Sequence, residues 1–174
     1  MNAKIQDAIN AQINAELWSA YLYLSMSADF AAKGYPGFAN WMLVQFKEEQ
    51  DHAMKFLNYV IQRDGVVELK PIEAVQKSWK SALDAYKDTL AHENIVTGLI
   101  NNLFKIATEE NDFATQSFLK WYIDEQVEEE ENAQNLIDAL KLIGDNGYGL
   151  YMLDKELAAR VYVPLATTTS NAAV

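Results

Sequence analysis

Glycine and proline are rare in this chain, and their positions divide it into long segments that can be helical. The sequence holds seven glycines and three prolines among 174 residues, and six of these ten fall within 34–37 and 144–149. Because glycine and proline end helices more readily than they continue them, the intervening segments can form helices of roughly 30 residues. The pattern predicts four long helices and a short fifth one, over about residues 2–33, 37–64, 81–110, 112–143 and 150–159.

The lengths of the connections predict how these helices are arranged. Short turns after the first and third helices make each pair an antiparallel hairpin. A helix of roughly 30 residues is about 45 Å long. The connection from Val66 to about Lys80 can extend about 50 Å, so it can run the length of the bundle. We therefore expect an all-α four-helix bundle with one long crossover from helix 2 to helix 3 and a short fifth C-terminal helix.

Composition narrows the class of protein further. A formal net charge of −11 argues against sequence-independent binding to nucleic acid, which needs a basic surface. No apolar run reaches membrane-spanning length, and the absence of cysteine fits a cytoplasmic protein without disulfides or thiolate metal sites. We expect one domain over residues 1–159. The tail 160–174, with Pro164 and small polar residues, is predicted to be poorly ordered.

The second predicted helix carries a carboxylate and an imidazole within its apolar seam. Glu49 and His52 follow Met42 and precede Phe56 at alternating steps of three and four residues, so they point to the same interior. A buried carboxylate beside an imidazole needs a partner, and a metal ion is the usual one. Such a pair alone is more often found on a solvated helix face, so the interpretation depends on the other helices.

Each of the other long helices also has an acidic residue near the middle of its apolar seam, namely Glu16, Glu93 and Glu129. Four buried carboxylates at one level of a bundle would repel strongly unless a cation neutralised them. One such glutamate alone would more often be exposed, but four favour a metal site. Oxygen-rich ligation with one imidazole suits Fe(II), and also Mn(II) or Zn(II).

The spacing of these residues partly matches a known arrangement of two metals in a helical bundle. That arrangement takes one Glu from each of two helices and a Glu-x-x-His motif from each of the other two. Here the second helix supplies Glu49-x-x-His52, but the corresponding DEQVEEEE stretch of the fourth helix has no histidine. We therefore expect an asymmetric centre whose second metal is held more weakly, with Gln126 or water in place of a second histidine.

The sequence resembles bacterial non-haem ferritins over about residues 1–158. The resemblance is carried by INAELWSAYLY, FKEEQDHAM, HEN, FLKWYIDEQVEEEE and GLYMLDKEL, and the combination is highly specific although no single piece is. It implies oxidation of Fe(II) by O2 or peroxide at a di-iron ferroxidase centre. It also implies iron storage as a ferric mineral in a hollow homo-oligomeric shell of twenty-four subunits.

The resemblance assigns roles to individual residues. The first iron would be held by Glu16, Glu49 and His52, with Glu49 bridging to a second iron held by Glu93 and Glu129, with Gln126 close by. A third iron site would fall on Glu48, Glu125 and Glu128, with Glu129 shared. Without the family these last acidic residues would be interpreted as a solvated charge run, which is the interpretation kept for Glu130 and Glu131.

Aromatic residues near the centre have two possible roles. Tyr23 lies two helical turns after Glu16, and Trp121 lies one turn before Glu125. Packing in the core is the commoner role for such aromatics. The resemblance implies that both adjoin the centre and donate electrons during oxidation. His92 precedes Glu93, points about 100° away from it, and is expected on the surface or beside the centre.

Departures from related families limit the interpretation. Bacterioferritins place a haem-ligating methionine directly after the bridging glutamate, whereas this chain has Gln50 there and Met54 one helical step away, so no haem is predicted. Two alternatives remain. One is a di-iron peroxidase or oxidase of the same fold without mineral storage. The other is a non-catalytic helical bundle, which requires the four seam glutamates to be exposed.

Overall fold

Five helices account for most of the structure. The computed structural model describes residues 1–165, and all regular structure in that range is helical. None of these helices combines the length and the apolar character needed to cross a membrane. The helices are α1 (Ala3–Ala32), α2 (Pro36–Gln62), α3 (Ala82–Glu109), α4 (Phe113–Ile143) and α5 (Gly147–Leu157).

Most of the helices begin where a polar side chain caps the first turn. Side-chain oxygens accept hydrogen bonds from backbone N–H groups of the first turn at Asn2, Ser81, Asp112 and Asn146. The cap at Asn146, which accepts from the Gly149 N–H at 3.0 Å, explains why α5 begins at Gly147 rather than near Leu150 as predicted. The helix α2 instead begins with Pro36, whose fixed φ suits the first turn.

The connections give the predicted topology. A short turn with Gly34 at a φ of 82° joins α1 to α2, and another short turn joins α3 to α4, so each pair is antiparallel. The crossover between α2 and α3 lies along α1. Its backbone bonds to Asn10 near one end, where the Asn10 amide donates to Val66 O at 2.9 Å. Near the other end the Trp79 N–H donates to Asp29 at 3.1 Å. The predicted all-α bundle with one long crossover is confirmed.

The interior consists of two apolar clusters with a polar layer between them. The first cluster fills the end of the bundle that holds the C-terminal half of α1 and the start of α2, and includes Tyr23, Phe38 and Tyr86. The second fills the opposite end and includes Ile9, where Phe56 of α2 stacks on Tyr122 of α4 with ring centroids 4.0 Å apart. On each long helix buried polar residues lie between these clusters, and this layer contains the candidate site.

The helix α5 is fixed against the start of α2. The Asp154 carboxylate accepts from the backbone N–H groups of Gly37 and Phe38 at 2.8 and 3.0 Å. A Cβ atom at Gly37 would lie 1.6 Å from the backbone oxygen of Asp154, so only glycine permits this close approach.

The segment after α5, residues 160–165, lies along α2. The Asn40 amide donates to Arg160 O at 2.9 Å, and the Tyr162 hydroxyl donates to Asp51 at 2.6 Å. This segment is the first part of the tail for which poor order was predicted. The remainder of that tail, residues 166–174, lies outside the described residues.

Candidate metal centre

The polar layer brings together the six residues predicted to hold two metal ions. None of them is more than 5% exposed, and three come from the antiparallel pair α1–α2 while three come from α3–α4. They are Glu16, Glu49, His52, Glu93, Gln126 and Glu129. The non-catalytic alternative required exposed seam glutamates, and the burial of all four contradicts that requirement.

Three of these residues converge closely enough to share one ion. Glu16, Glu49 and His52 each offer a ligand atom, and these atoms lie within 4.8 Å of one another, the one such group among residues 1–165. The His52 Nδ1 atom is 3.4 Å from Glu49 Oε2. Both Glu16 Oε2 and Glu49 Oε2 are buried without a hydrogen-bond partner. A buried carboxylate oxygen without a partner is costly, and a bound cation would remove that cost.

The remaining half of the centre is held by hydrogen bonds. The Tyr23 hydroxyl donates to one carboxylate oxygen of Glu93, and the Gln126 amide donates to the other at 3.1 Å. The Gln45 amide donates to Glu129 Oε2 at 2.7 Å. These carboxylates therefore have protein partners, unlike Glu16 Oε2 and Glu49 Oε2. The amide of Gln45 nevertheless leaves its own buried Oε1 atom without a partner.

Burial raises the pKa values of three acidic residues in this layer. Burial, opposed by His52 and supported by nearby carboxylates, raises the pKa of Glu49 from 4.5 to about 7. Burial and the Glu93 carboxylate raise the pKa of Glu129 to about 8. For Glu16, burial and Glu49 raise the pKa well above its ordinary value.

The imidazole of His52 responds to the same surroundings. Burial lowers the pKa of His52, but the carboxylates of Glu49 and Glu125 outweigh it, so the pKa lies well above its ordinary value. Its Nε2 atom is 3.8 Å from Glu125 Oε1. The Tyr122 hydroxyl donates to His52 O at 2.8 Å, and this bond ties the part of α2 that carries Glu49 and His52 to α4.

The residues predicted to form a third iron site are not assembled into a ligand cluster. The Glu48 carboxylate accepts instead from Arg160 Nη2 at 2.7 Å, and the side chains are 24% and 23% exposed. Glu128 is exposed and Glu125 is half-buried beside His52. Burial raises the pKa of Glu48, with Arg160 opposing that shift and Glu125 and Glu128 adding to it, so the three carboxylates do share one neighbourhood.

The aromatic residues singled out from the sequence lie beside the centre. Tyr23 is fully buried against Glu93. Trp121 packs edge-on against His52 with centroids 5.4 Å apart, and Lys55 Nζ lies 3.1 Å from the centre of the Trp121 ring.

His92 is half-buried, with its ring edge-on to Tyr23 at 6.1 Å and Nε2 2.7 Å from the Ser19 hydroxyl.

Several supporting residues were not singled out from the sequence. The Gln12 amide donates to Glu16 Oε1 at 2.8 Å, in the same way that Gln45 supports Glu129. The position of Gln12 one turn before Glu16 was an available signal, whereas the spacing of Gln45 from Glu49 gave no indication of its bond to Glu129 on α4. Glu130, interpreted as solvated, is half-buried and accepts from the Thr97 hydroxyl at 2.5 Å, whereas Glu131 is exposed as expected.

Comparison with known proteins identifies the family. The family model for the ferritin-like domain matches residues 6–143. The chain belongs to the ferritin family. A bacterial non-heme ferritin from Bacteroides fragilis is 42% identical over 160 residues, covering 92% of this chain and 99% of the relative. One from Staphylococcus haemolyticus is 42% identical over 162 residues, covering 93% and 98%.

Solved ferritin structures agree with this fold over nearly the whole chain. An open pore ferritin from the hyperthermophilic archaeon Archaeoglobus fulgidus superposes with a TM-score of 0.92 at 46% identity, covering 92% of this chain and 99% of that one. A closed form of the same ferritin, engineered by site-directed mutagenesis, gives a TM-score of 0.93 and covers 94% of this chain. The family resemblance predicted from the motifs is therefore confirmed.

Proposed function

We propose that this ferritin oxidises Fe(II) at the buried polar layer and stores the product as a ferric mineral within a hollow shell of its own subunits. The observation that carries the proposal is the pair of buried carboxylate oxygens without partners, Glu16 Oε2 and Glu49 Oε2, beside the His52 imidazole. Carboxylates with one imidazole suit Fe(II), which here is the substrate. Relatives named as bacterial non-heme ferritins support the same assignment.

The two halves of the centre would hold one Fe(II) ion each. Glu16, Glu49 and His52 bind the first, and Glu93 and Glu129 bind the second with Gln126 beside it. The charges of Glu93 and Glu129 contribute to the raised pKa of Glu49, and this interaction with the second half supports a bridging role for Glu49. Each Fe(II) loses one electron. One O2 molecule takes both electrons and two protons to become H2O2.

The protein's own groups would supply and accept protons in this step. Burial raises the pKa of Glu49 to about 7 and that of Glu129 to about 8, so binding of Fe(II) near neutral pH would displace protons from the protonated fraction of each group. The two Fe(II) ions already supply both electrons of that step, so Tyr23 would act in a further reduction of the H2O2 to two H2O, which takes two electrons and two protons. The Tyr23 hydroxyl is hydrogen-bonded to Glu93, so Tyr23 could give one of these electrons while its proton passes to that carboxylate. Trp121 against His52 is the second candidate donor.

Storage requires assembly beyond one subunit. We expect twenty-four copies in a hollow shell, as the resemblance to large ferritins implies, in the cytoplasm. The chain covers 99% of the Archaeoglobus ferritin structures and carries the fifth helix that the resemblance associates with this class. A net charge of −11 favours attraction of Fe(II) to the assembly.

The test compares iron oxidation in matched variants. Fe(II) is added anaerobically to metal-free protein, O2 is admitted, and ferric absorbance is followed for the wild type, Glu49→Gln and His52→Gln. Loss of a metal ligand should slow oxidation by roughly 100-fold or more. Glu131→Gln, which removes an exposed carboxylate from α4, is the control and should oxidise iron at the wild-type rate. Wild-type rates in both ligand variants would show that the site is wrongly assigned.

Particle mass and mineral content separate storage from the alternative di-iron oxidase. A shell should elute far above the 19.7 kDa of one chain and retain ferric iron through gel filtration. A small oligomer that oxidises iron but releases all of it would favour the peroxidase or oxidase without storage.

A further inference from the structure

A chain of hydrogen bonds connects Gln126 to a carboxylate outside the metal-binding layer. The Gln126 Nε2 atom lies 3.3 Å from the Thr97 Oγ1 atom on α3. The Thr97 hydroxyl in turn donates to Glu130 Oε1 at 2.5 Å. Glu130 follows Glu129 on α4, but its side chain turns towards α3 and not into the layer. It is therefore placed to act on the centre only through Thr97.

The chemistry of these groups determines which of them donates in each hydrogen bond. A carboxylate accepts hydrogen bonds and has no proton to donate, so the proton between Thr97 and Glu130 belongs to the Thr97 hydroxyl. Because the Thr97 hydroxyl uses its one proton in the bond to Glu130, the Thr97 oxygen can only accept a hydrogen bond from Gln126. The group that Gln126 presents to Thr97 must then be its NH2 and not its carbonyl.

The NH2 group of Gln126 is also used on Glu93. It lies 3.1 Å from Glu93 Oε2 and 3.3 Å from Glu93 O, so both acceptors on α3 favour the same amide orientation. No donor within residues 1–165 hydrogen-bonds the Gln126 Oε1 atom. The oxygen is therefore the end of the amide left to ligate a cation, and amide oxygens are good ligands for hard cations. A flipped amide would present N–H groups to the cation and repel it.

We propose that Thr97 and Glu130 are positioning residues that fix the Gln126 amide with its oxygen available to the second metal ion. The inference rests on the proposed function, because it concerns the half of the centre formed by Glu93, Gln126 and Glu129. It gives Glu130 a role different from that of the exposed Glu131 beside it.

The test measures binding of Co(II) to the metal-free, assembled protein under anaerobic conditions. The absorption bands and heats of binding resolve a first and a second ion per subunit. Thr97→Val keeps the shape of the side chain but removes the hydroxyl, and should weaken the second ion about 10- to 100-fold, as for other residues that orient a metal ligand. The first ion should bind as in the wild type. Thr97→Ser restores the hydroxyl and should restore the second affinity.

Two matched controls separate positioning from a general change in structure or charge. Thr108→Val removes a hydroxyl that bonds its own helix at Phe104 O, and should leave both affinities unchanged. Glu130→Ala should weaken the second ion as Thr97→Val does, whereas Glu131→Ala makes the same change of charge at an exposed position and should not.

The outcomes distinguish this inference from the function on which it rests. Equal second-ion affinities in the wild type and Thr97→Val, or no recovery in Thr97→Ser, would overturn the positioning role while leaving the centre intact. Fewer than two Co(II) ions per wild-type subunit, or a first ion that survives His52→Gln, would overturn the proposed centre and the inference with it.

Discussion

The two halves of the metal centre differ in how their carboxylates are satisfied. On the α1–α2 side, Glu16 and Glu49 each keep a buried oxygen without a hydrogen-bond partner beside His52. On the α3–α4 side, donors from Tyr23 and Gln126 occupy both oxygens of Glu93, and Gln45 bonds Glu129. A bound cation would therefore stabilise the first half more than the second, which is held in position by hydrogen bonds within the protein.

This difference predicts the order in which ions bind. An unsatisfied buried polar atom costs about 1–3 kcal/mol, so a cation at the first half relieves a cost that the second half does not have. The second half also lacks an imidazole, and the amide of Gln126, its proposed third ligand, is neutral. The first half should therefore bind the tighter ion, and the second half should contribute a weaker, more exchangeable one.

Of the changes considered, removing the imidazole should lower metal affinity the most. His52→Gln takes away the only nitrogen among the proposed ligands, and the affinity for the first Zn(II) ion should fall roughly 100-fold or more. Gln126→Leu should weaken only the second ion. Calorimetric titration of metal-free protein measures both steps. If Gln126→Leu cost as much as His52→Gln, or weakened the first ion, the assignment of a tight and a weak half would be wrong.

Loss of the tyrosine hydroxyl should have a smaller effect, confined to the second half. Tyr23→Phe leaves one oxygen of Glu93 without its donor, and a lost hydrogen bond to a charged group is worth about 1.5–3 kcal/mol. The unpartnered Glu93 oxygen would then gain from a cation as Glu16 Oε2 does, so the second Zn(II) ion should bind roughly 10- to 100-fold more tightly. Iron oxidation over repeated turnovers should slow. Trp121→Phe is the comparison variant for electron donation. An unchanged rate in Tyr23→Phe together with a slow Trp121→Phe would assign the donor role to Trp121.

The stability of the metal-free protein should decrease as pH rises. The pKa values of Glu49 and Glu129 are raised from 4.5 to about 7 and about 8, so the folded state keeps protons that the unfolded chain releases above pH 4.5. Their contribution is complete below about pH 4.5 and is lost as pH rises through the folded values, by roughly 1 kcal/mol per pH unit for each group. The raised pKa of His52 has the same sign.

Thermal unfolding between pH 5 and 8 measures this slope. Glu129→Gln should flatten it, whereas Glu131→Gln should retain it because that carboxylate is exposed. Saturating Zn(II) should reverse the trend, since metal competes with the protons and binds better as pH rises. A metal-free protein whose melting temperature is independent of pH would contradict the burial of these carboxyl groups.

Sequence reasoning could predict that the four seam glutamates are buried but not the hydrogen bonds that support them. Helical periodicity placed Glu16, Glu49, Glu93 and Glu129 inside apolar seams, and the short turns predicted which helices pair. Periodicity assigns a residue to a face but does not identify its partner on another helix. For that reason Glu130, about 100° around α4 from Glu129, was interpreted as solvated although α3 supplies Thr97 there.

Contacts distant in sequence were also beyond prediction. The ion pair between Glu48 and Arg160 joins positions 112 residues apart, and nothing in the local pattern of either indicates it. It places a cation of the protein itself on a carboxylate expected to bind a third iron. At this outer position, too, the carboxylate already has a partner within the protein, as Glu93 and Glu129 do in the second half of the candidate centre.

Of these changes, removing Arg160 should have the smallest effect, and it tests whether Arg160 competes with a metal ion for Glu48. The Glu48–Arg160 pair is about a quarter exposed, so it contributes up to about 1 kcal/mol, and Arg160→Gln should tighten a third Zn(II) ion about fivefold. The first two ions should be unaffected, because Arg160 does not contact their ligands. Lys155→Gln, which removes a charge from α5 without contacting Glu48, is the control. Equal affinity for the third ion in Arg160→Gln and Lys155→Gln would show that Arg160 does not compete for Glu48. Competition would then not explain why Glu48, Glu125 and Glu128 remain unassembled. The weakness of that site would instead lie in the exposure of Glu128.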